Sequence, residues 1–297
     1  MTDLQRLVLL TLQVSVLFTV FGFGLKTRAD DVFRLMRQPA LVVRSLVAVF
    51  VIMPLVAVLL ARLFDFRPTV EVALIALAMS PVPPLLPQRH AKAGGATHYA
   101  LALMAVFGLV AVVTVPLTLE ILERMFGRYL TIPPYVVARI VFTSTLLPLA
   151  AGMCVRAVLP RLAESLERFV TIVAGLLLPL ATLALVIFTA SAMWALVGDG
   201  TIVAMVLFLV SGFAIGHALG GHEPDHALAL ALCTAYRHPA IAFSIASANF
   251  PDQRFGGAIV LYMIVGLIVG VPYVVWQRRR MQRPSEGQPP PSSKSRV

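Results

Sequence analysis

From Leu7 to Leu25 the chain carries no charged side chain, and stretches of that kind return along its whole length. A helical run of about 20 apolar residues matches the ~30 Å hydrocarbon core of a bilayer, so this feature limits the fold before any motif is read. Hydrophobic residues fill 59% of the 297 positions and charged residues 13%, with a mean hydropathy of +0.89. That is far from the composition of a soluble domain. The chain reads as an all-α polytopic membrane protein. Its formal charge of +10 does not point to nucleic acid, because Lys and Arg fall mostly in short connections and the C-terminal tail, where they set topology. Cys154 and Cys233 lie inside apolar runs and form neither a disulfide framework nor a metal-ligand spacing. No nucleophile-base pair or metal cluster stands out, so an enzyme and a bound metal are both unexpected.

Nine spans are expected. The first is Leu7 to Leu25, read as a span because no small-residue cleavage site follows it, and the second is Leu41 to Phe64, kinked at Pro54. The third is short and broken. The fourth and fifth run from Tyr99 to Leu119 and from Tyr135 to Val158. An amphipathic piece, Pro160 to Arg168, precedes the sixth at Phe169 to Trp194, and the seventh is Thr201 to Leu219. The eighth is again broken, and the ninth is Gly256 to Trp276. Residues 1–281 thus form one transmembrane domain, and 282–297, rich in Pro, Ser, Gly and Gln, is expected to be a disordered cytoplasmic tail. The basic connections after the first and fifth spans and the arginines after the ninth place the N-terminus outside and the C-terminus in the cytoplasm. The expected location is the plasma (inner) membrane.

The two broken elements carry the chemistry. In the third, the apolar run stops at Met79 and meets Ser80, Pro81, Pro83, Pro84 and Pro87, then Arg89, His90 and Lys92 before Gly94 and Gly95. In the eighth, Ala227 to Thr234 and Ala240 to Asn249 flank Tyr236, Arg237, His238 and Pro239. Proline removes a helix hydrogen bond and charge is costly at this depth, so such irregular backbone persists where it lines a cavity or is served by neighbours. Five spans separate the breaks, the spacing of inverted five-helix repeats of which the first has lost its leading helix.

These segments resemble the bile acid:sodium symporter family. The stretch ALALCTAYRHPAIAFSIASANF, Ala229 to Phe250, lies on the family's second crossing helix, and Pro81 with Ala93-Gly94-Gly95 follows the first. MRQPALVV at Met36 to Val43 and LLP at Leu146 to Pro148 also have counterparts. The resemblance implies two crossing helices and transport by alternating access. In sodium-coupled members it also implies oxygen ligands at positions that here are Leu86, Pro87, Cys233 and Arg237. Sodium is therefore possible by family but unsupported by the residues. A guanidinium would repel it by about 3 kcal/mol at ~5 Å and an effective dielectric of ~20. No other cofactor is expected.

Arg237 has two readings. It recognises an anionic substrate in the bilayer, or it stands in for the sodium charge and holds the crossing together. His238, Thr234, Tyr236, Arg89, His90, Lys92 and Ser80 are the other candidate substrate contacts. Each has a plainer role in capping helix ends or marking a positive-inside loop. His90 and His238 are the groups near the breaks suited to proton coupling. The expectation is a secondary transporter of a small organic anion; a receptor or scaffold that kept the fold without transporting is the alternative.

Overall fold

The computed structural model describes residues 3–27, 38–64, 66–95, 97–126, 132–250 and 255–282, and the expected tail lies outside these apart from Gln282. Among the described residues the secondary structure is helical, with no β-strand. The helices are α1 (Asp3–Lys26), α2 (Pro39–Leu63), α3 (Pro68–Met79), α4 (Leu86–Lys92), α5 (Thr97–Phe126), α6 (Pro134–Val158), α7 (Pro160–Trp194), α8 (Thr201–Leu219), α9 (Pro224–Ala235), α10 (Pro239–Asn249) and α11 (Gly256–Gln282). Eight helical stretches, with α9 and α10 counted as one, are long and apolar enough to cross a bilayer. The ninth element is the 12-residue α3, continued after a break by α4.

Six of these helices begin with proline at the first position. There its missing N–H costs nothing and its fixed φ suits the helix. Deeper prolines are Pro54, Pro116, Pro148, Pro179 and Pro272. Before Pro54 and Pro148 the helix loosens into a π turn, at Ala48–Ile52 in α2 and Phe142–Leu146 in α6. A longer turn accommodates the ring and leaves a carbonyl without its amide. The expected amphipathic piece at Pro160 to Arg168 is not separate. It runs straight into the sixth span as one 35-residue helix, α7.

Small residues set the closest helix contacts. Gly212 and Gly216 of α8 and Gly220, which caps its end, face Ala235, Ala231 and Ala227 of α9, and a Cβ on Gly216 would lie 2.5 Å from the Ala231 Cα. Gly24 of α1 and Gly152 of α6 meet similarly, a Cβ on Gly152 coming within 2.8 Å of the Gly24 Cα. Such contacts let backbones approach where lipid offers no hydrophobic drive for association. The α1 helix packs chiefly on α6 and α7, whereas α2, α3, α4, α5, α8, α9, α10 and α11 share one continuous core.

Contacts between helix ends sort the two sides. Lys26 pairs with Glu167 at 3.0 Å and the Gly94 turn abuts Met281 and Arg278. The ends of α1, α4 and α11 and the starts of α7 and α9 therefore lie on one side, called here the basic side. On the far side Arg67 pairs with Asp199 at 2.7 Å, joining the start of α3 to the α7–α8 connection.

Candidate functional site

Each break contains an extended residue that precedes proline. Ser80, before Pro81, has φ −68 and ψ 146, and His238, before Pro239, has φ −77 and ψ 105. The proline ring disfavours the α region for its predecessor, so α3 stops at Met79. The α9 helix has already ended at Ala235, with Tyr236 extended at φ −95 and ψ 139, and Pro239 opens the next helix. The two breaks then meet. The His238 backbone N–H donates to the Pro81 carbonyl at 2.9 Å, a main-chain bond between the third and eighth elements.

Arg237 sits at this crossing with 3% of its surface exposed. Its Nη1 donates to the Ser80 carbonyl at 3.1 Å and its Nη2 to the Val49 carbonyl at 2.9 Å. Neither acceptor is incidental. Ser80 caps the C-terminal end of α3, where the helix dipole favours a cation. Val49 lies in the π turn of α2: Met53 bonds back to Ala48, and in that register the amide owed to Val49 would come from Pro54, which has none. The guanidinium serves a carbonyl that proline left open.

Arg89 also turns toward the crossing. Its Cζ lies 3.8 Å from the centroid of the Tyr236 ring, a cation–π contact worth about 2 kcal/mol when desolvated. The Tyr236 hydroxyl donates to the Gly266 carbonyl at 2.9 Å, and its ring occupies a slot that only glycine at 266 and 270 leaves open. Phe213 meets the same ring edge-on at 5.6 Å between centroids. The ion pairs among the described residues include neither Arg89 nor Arg237.

The remaining candidates separate into distinct roles. The Ser80 hydroxyl donates to Leu77 at 2.8 Å and that of Thr234 to Leu230 at 2.6 Å, both serving their own helix ends. His238 is 3% exposed and its two ring nitrogens are buried without hydrogen-bond partners. His90 is fully buried. Its Nε2 lies 3.2 Å from the Asp225 carbonyl oxygen and 3.3 Å from Asp225 Oδ1. Pro81, Pro83 and Pro84 lie in the irregular stretch, and Pro87 is already inside α4. The structure thus gathers Ser80, Pro81, Arg89, Tyr236, Arg237 and His238 at the crossing, and sends His90 and Lys92 toward the basic side.

Two cavities flank the crossing. The far-side cavity, about 350 Å³, is walled by α3, α5 and α10 with Arg62, Glu71 and Asn249 among its lining. The basic-side cavity, about 340 Å³, lies between α1, α4 and α7. Its polar lining among the described residues is Thr19, Gln88, Thr171, Lys26 and Lys92, and of these the two lysines are charged. Arg237 lines neither of these cavities. Sequence reasoning missed Val49, Gly266 and Gly270. Pro54 was the available signal for the first, and the Gly266-Gly270 spacing in α11 for the slot.

The positions that hold oxygen ligands in sodium-coupled relatives fit sodium poorly here. A hard cation needs several oxygens, yet Cys233 is a buried thiol, Leu86 and Pro87 offer no side-chain oxygen, and the guanidinium of Arg237 occupies the Ser80 carbonyl at the first break and the Val49 carbonyl of the α2 π turn.

An apolar helical bundle in which two broken helices cross at their breaks defines a class, the polytopic membrane transporters with discontinuous helices. A model of the Sodium Bile acid symporter family matches residues 13–199. That is more than half of the chain, and the chain belongs to this family. The match covers α1 to α7 and so includes the first crossing arm. A search of curated proteins found no match.

Proposed function

We propose that this protein is a secondary transporter of a small organic anion, working by alternating access without sodium, with its C-terminus in the cytoplasm. The observation that carries the substrate class is the basic-side cavity, whose charged lining among the described residues is Lys26 and Lys92. Glu167 holds Lys26 in place at 3.0 Å, so Lys92 is the cation that meets the substrate, and Gln88, Thr19 and Thr171 supply neutral hydrogen bonds. Phe18 and Phe23 on the α1 wall suit an apolar body behind the anionic group. Carboxylate, sulfonate and phosphate all satisfy an ammonium donor of this kind.

Arg237 takes the other role open to it. It is a fixed charge that ties α2 and α3, through their carbonyls, to the break between α9 and α10, in place of a bound ion. The unpartnered His238 ring beside the N-terminus of α10 gives the anion a second foothold as it passes the crossing, since half-helix N-termini favour negative charge.

The test is counterflow of labelled benzoate, succinate and methanesulfonate in proteoliposomes, with sodium or choline as the cation. The expected result is exchange of at least one anion at the same rate in both salts. Sodium-stimulated flux would refute the fixed-charge assignment. Absence of flux for a wider panel of anions would favour a receptor or scaffold.

A further inference from the structure

We infer that the His90–Asp225 pair is a proton-binding site whose occupancy sets the affinity of the basic-side cavity, so that the anion and a proton are taken up together. The inference rests on the transport reading above and adds the coupled ion to it.

The geometry is specific. His90 is fully buried on α4, the second half of the first broken element, and its Nε2 reaches both the backbone and the carboxylate of Asp225 in the first turn of α9. The Asp225 side chain is 26% exposed, so water reaches the pair from the basic side. Gly95 closes over the imidazole so tightly that a Cβ there would overlap the ring, which fixes His90 in this orientation.

The same short helix carries the cavity wall. Gln88, Ala91 and Lys92 face the cavity, while His90 between them faces α9. A proton on His90 thus adds positive charge two residues from Lys92, within a helix too short to move one without the other. The added charge favours an anion, and by linkage a bound anion favours the proton. The remaining titratable neighbours are Tyr99 of α5, its ring tilted against that of His226 of α9 with centroids 4.3 Å apart, Glu223, 3.5 Å from His226, Arg89 on α4 itself, and Arg278 of α11 beside Gly94. Tyr, Arg and Lys keep one charge state between pH 5.5 and 8 in ordinary circumstances, and imidazole is the group whose charge changes there. His226 is the competing histidine.

The experiment measures exchange of labelled methanesulfonate and benzoate, both anionic throughout the window, in proteoliposomes at symmetrical pH from about 5.5 to 8. For the wild type the half-saturating anion concentration is expected to rise roughly five- to tenfold toward the alkaline end. His90→Gln should flatten that dependence, and His226→Gln should keep it. In Asp225→Asn the midpoint should move to lower pH, because the carboxylate that favours the protonated imidazole is gone. A second readout uses purified protein in weak buffer with a pH dye. Addition of benzoate near pH 7 should draw protons into the wild type and not into His90→Gln. If His90→Gln does not fold, the midpoint shift in Asp225→Asn decides. Exchange that is indifferent to pH in the wild type, or a dependence retained in His90→Gln or unmoved in Asp225→Asn, overturns the proton site while leaving transport standing. Absence of exchange for every anion instead refutes the transport reading beneath it.

Discussion

The crossing and the basic-side cavity are both rich in cations, and they use them in opposite ways. At the crossing Arg237 is almost wholly buried and spends its guanidinium on two backbone carbonyls, while Arg89 lies against a tyrosine ring. In the cavity Lys92 is exposed and Lys26 is steadied by Glu167. A cation deep in a span is usually taken to mark a substrate pathway. Here the deep cation serves backbone carbonyls of two helices, and the cation proposed for recognition sits at the wet margin. The difference follows from desolvation. A buried guanidinium without a carboxylate needs hydrogen-bond acceptors, and here the first break and the α2 π turn supply carbonyls to Nη1 and Nη2, while Nε has no partner among the described residues.

The sharpest way to break this contrast is Arg237→Ala. It leaves the Val49 and Ser80 carbonyls without the donors they now have, in a site closed to water, and an abandoned buried polar group costs about 1–3 kcal/mol. With two of them, the expected loss is about 3 kcal/mol or more, read as a fall in melting temperature or in folded yield in detergent. Arg237→Lys should recover only part of it, because an ammonium does not present the planar fork that reaches two acceptors at once. A melting temperature in Arg237→Ala equal to that of the wild type would show that the crossing does not depend on this charge.

Lys92→Ala is expected to do the reverse. Its side chain is exposed, so stability should change by no more than about 0.5 kcal/mol, while the half-saturating concentration of a transported anion should rise roughly tenfold, the equivalent of about 1.4 kcal/mol. Lys26→Ala should have a smaller effect on affinity, since Glu167 already offsets its charge. If Lys92→Ala lowered the melting temperature as far as Arg237→Ala, or left anion affinity untouched, the division of labour between the two regions would be wrong.

How much of this was legible in the sequence differs between the same two regions. The breaks were, because the X-Pro steps at Ser80-Pro81 and His238-Pro239 keep the preceding residue out of the α region, ending one helix and opening another, and local rules act on neighbours in the chain. The two readings of Arg237 could not be separated, because its acceptors are Val49 and Ser80, 188 and 157 residues away. No spacing rule links them. Arg89, His90 and Lys92 looked alike as a basic cluster before a double glycine. The seven-residue helix α4 points them in three directions, toward Tyr236, toward Asp225 and toward the cavity, and that depends on which helices pack around it. The join of Pro160 to Arg168 with the sixth span was hidden for another reason. An amphipathic helix and an apolar one have different periodicities, and a change of periodicity looks like a boundary even when the backbone hydrogen bonds run through it.

The finest test of the contrast lies in the two π turns, which have the same local chemistry and different uses. In α2 the turn ends at Pro54 and its open Val49 carbonyl accepts from Arg237; in α6 the turn ends at Pro148, with the Leu147 amide bonded back to Phe142. Restoring an amide by Pro54→Ala gives Val49 a donor from its own helix. The single substitution should change stability by only about 1 kcal/mol, because the gain in helix hydrogen bonding is offset by repacking of the turn. Its value lies in the double-mutant cycle. If the Arg237 bond to Val49 exists because proline vacated that carbonyl, Arg237→Ala should cost less in the Pro54→Ala background than in the wild type, by about 1 kcal/mol, the net worth of one such hydrogen bond. Pro148→Ala restores an amide in a turn to which Arg237 donates no hydrogen bond, so there the two effects should add within about 0.5 kcal/mol. Coupling at both prolines would mean that Arg237 senses the bundle as a whole. Coupling at neither would mean that its bond to Val49 carries no weight and that Ser80 alone holds the charge.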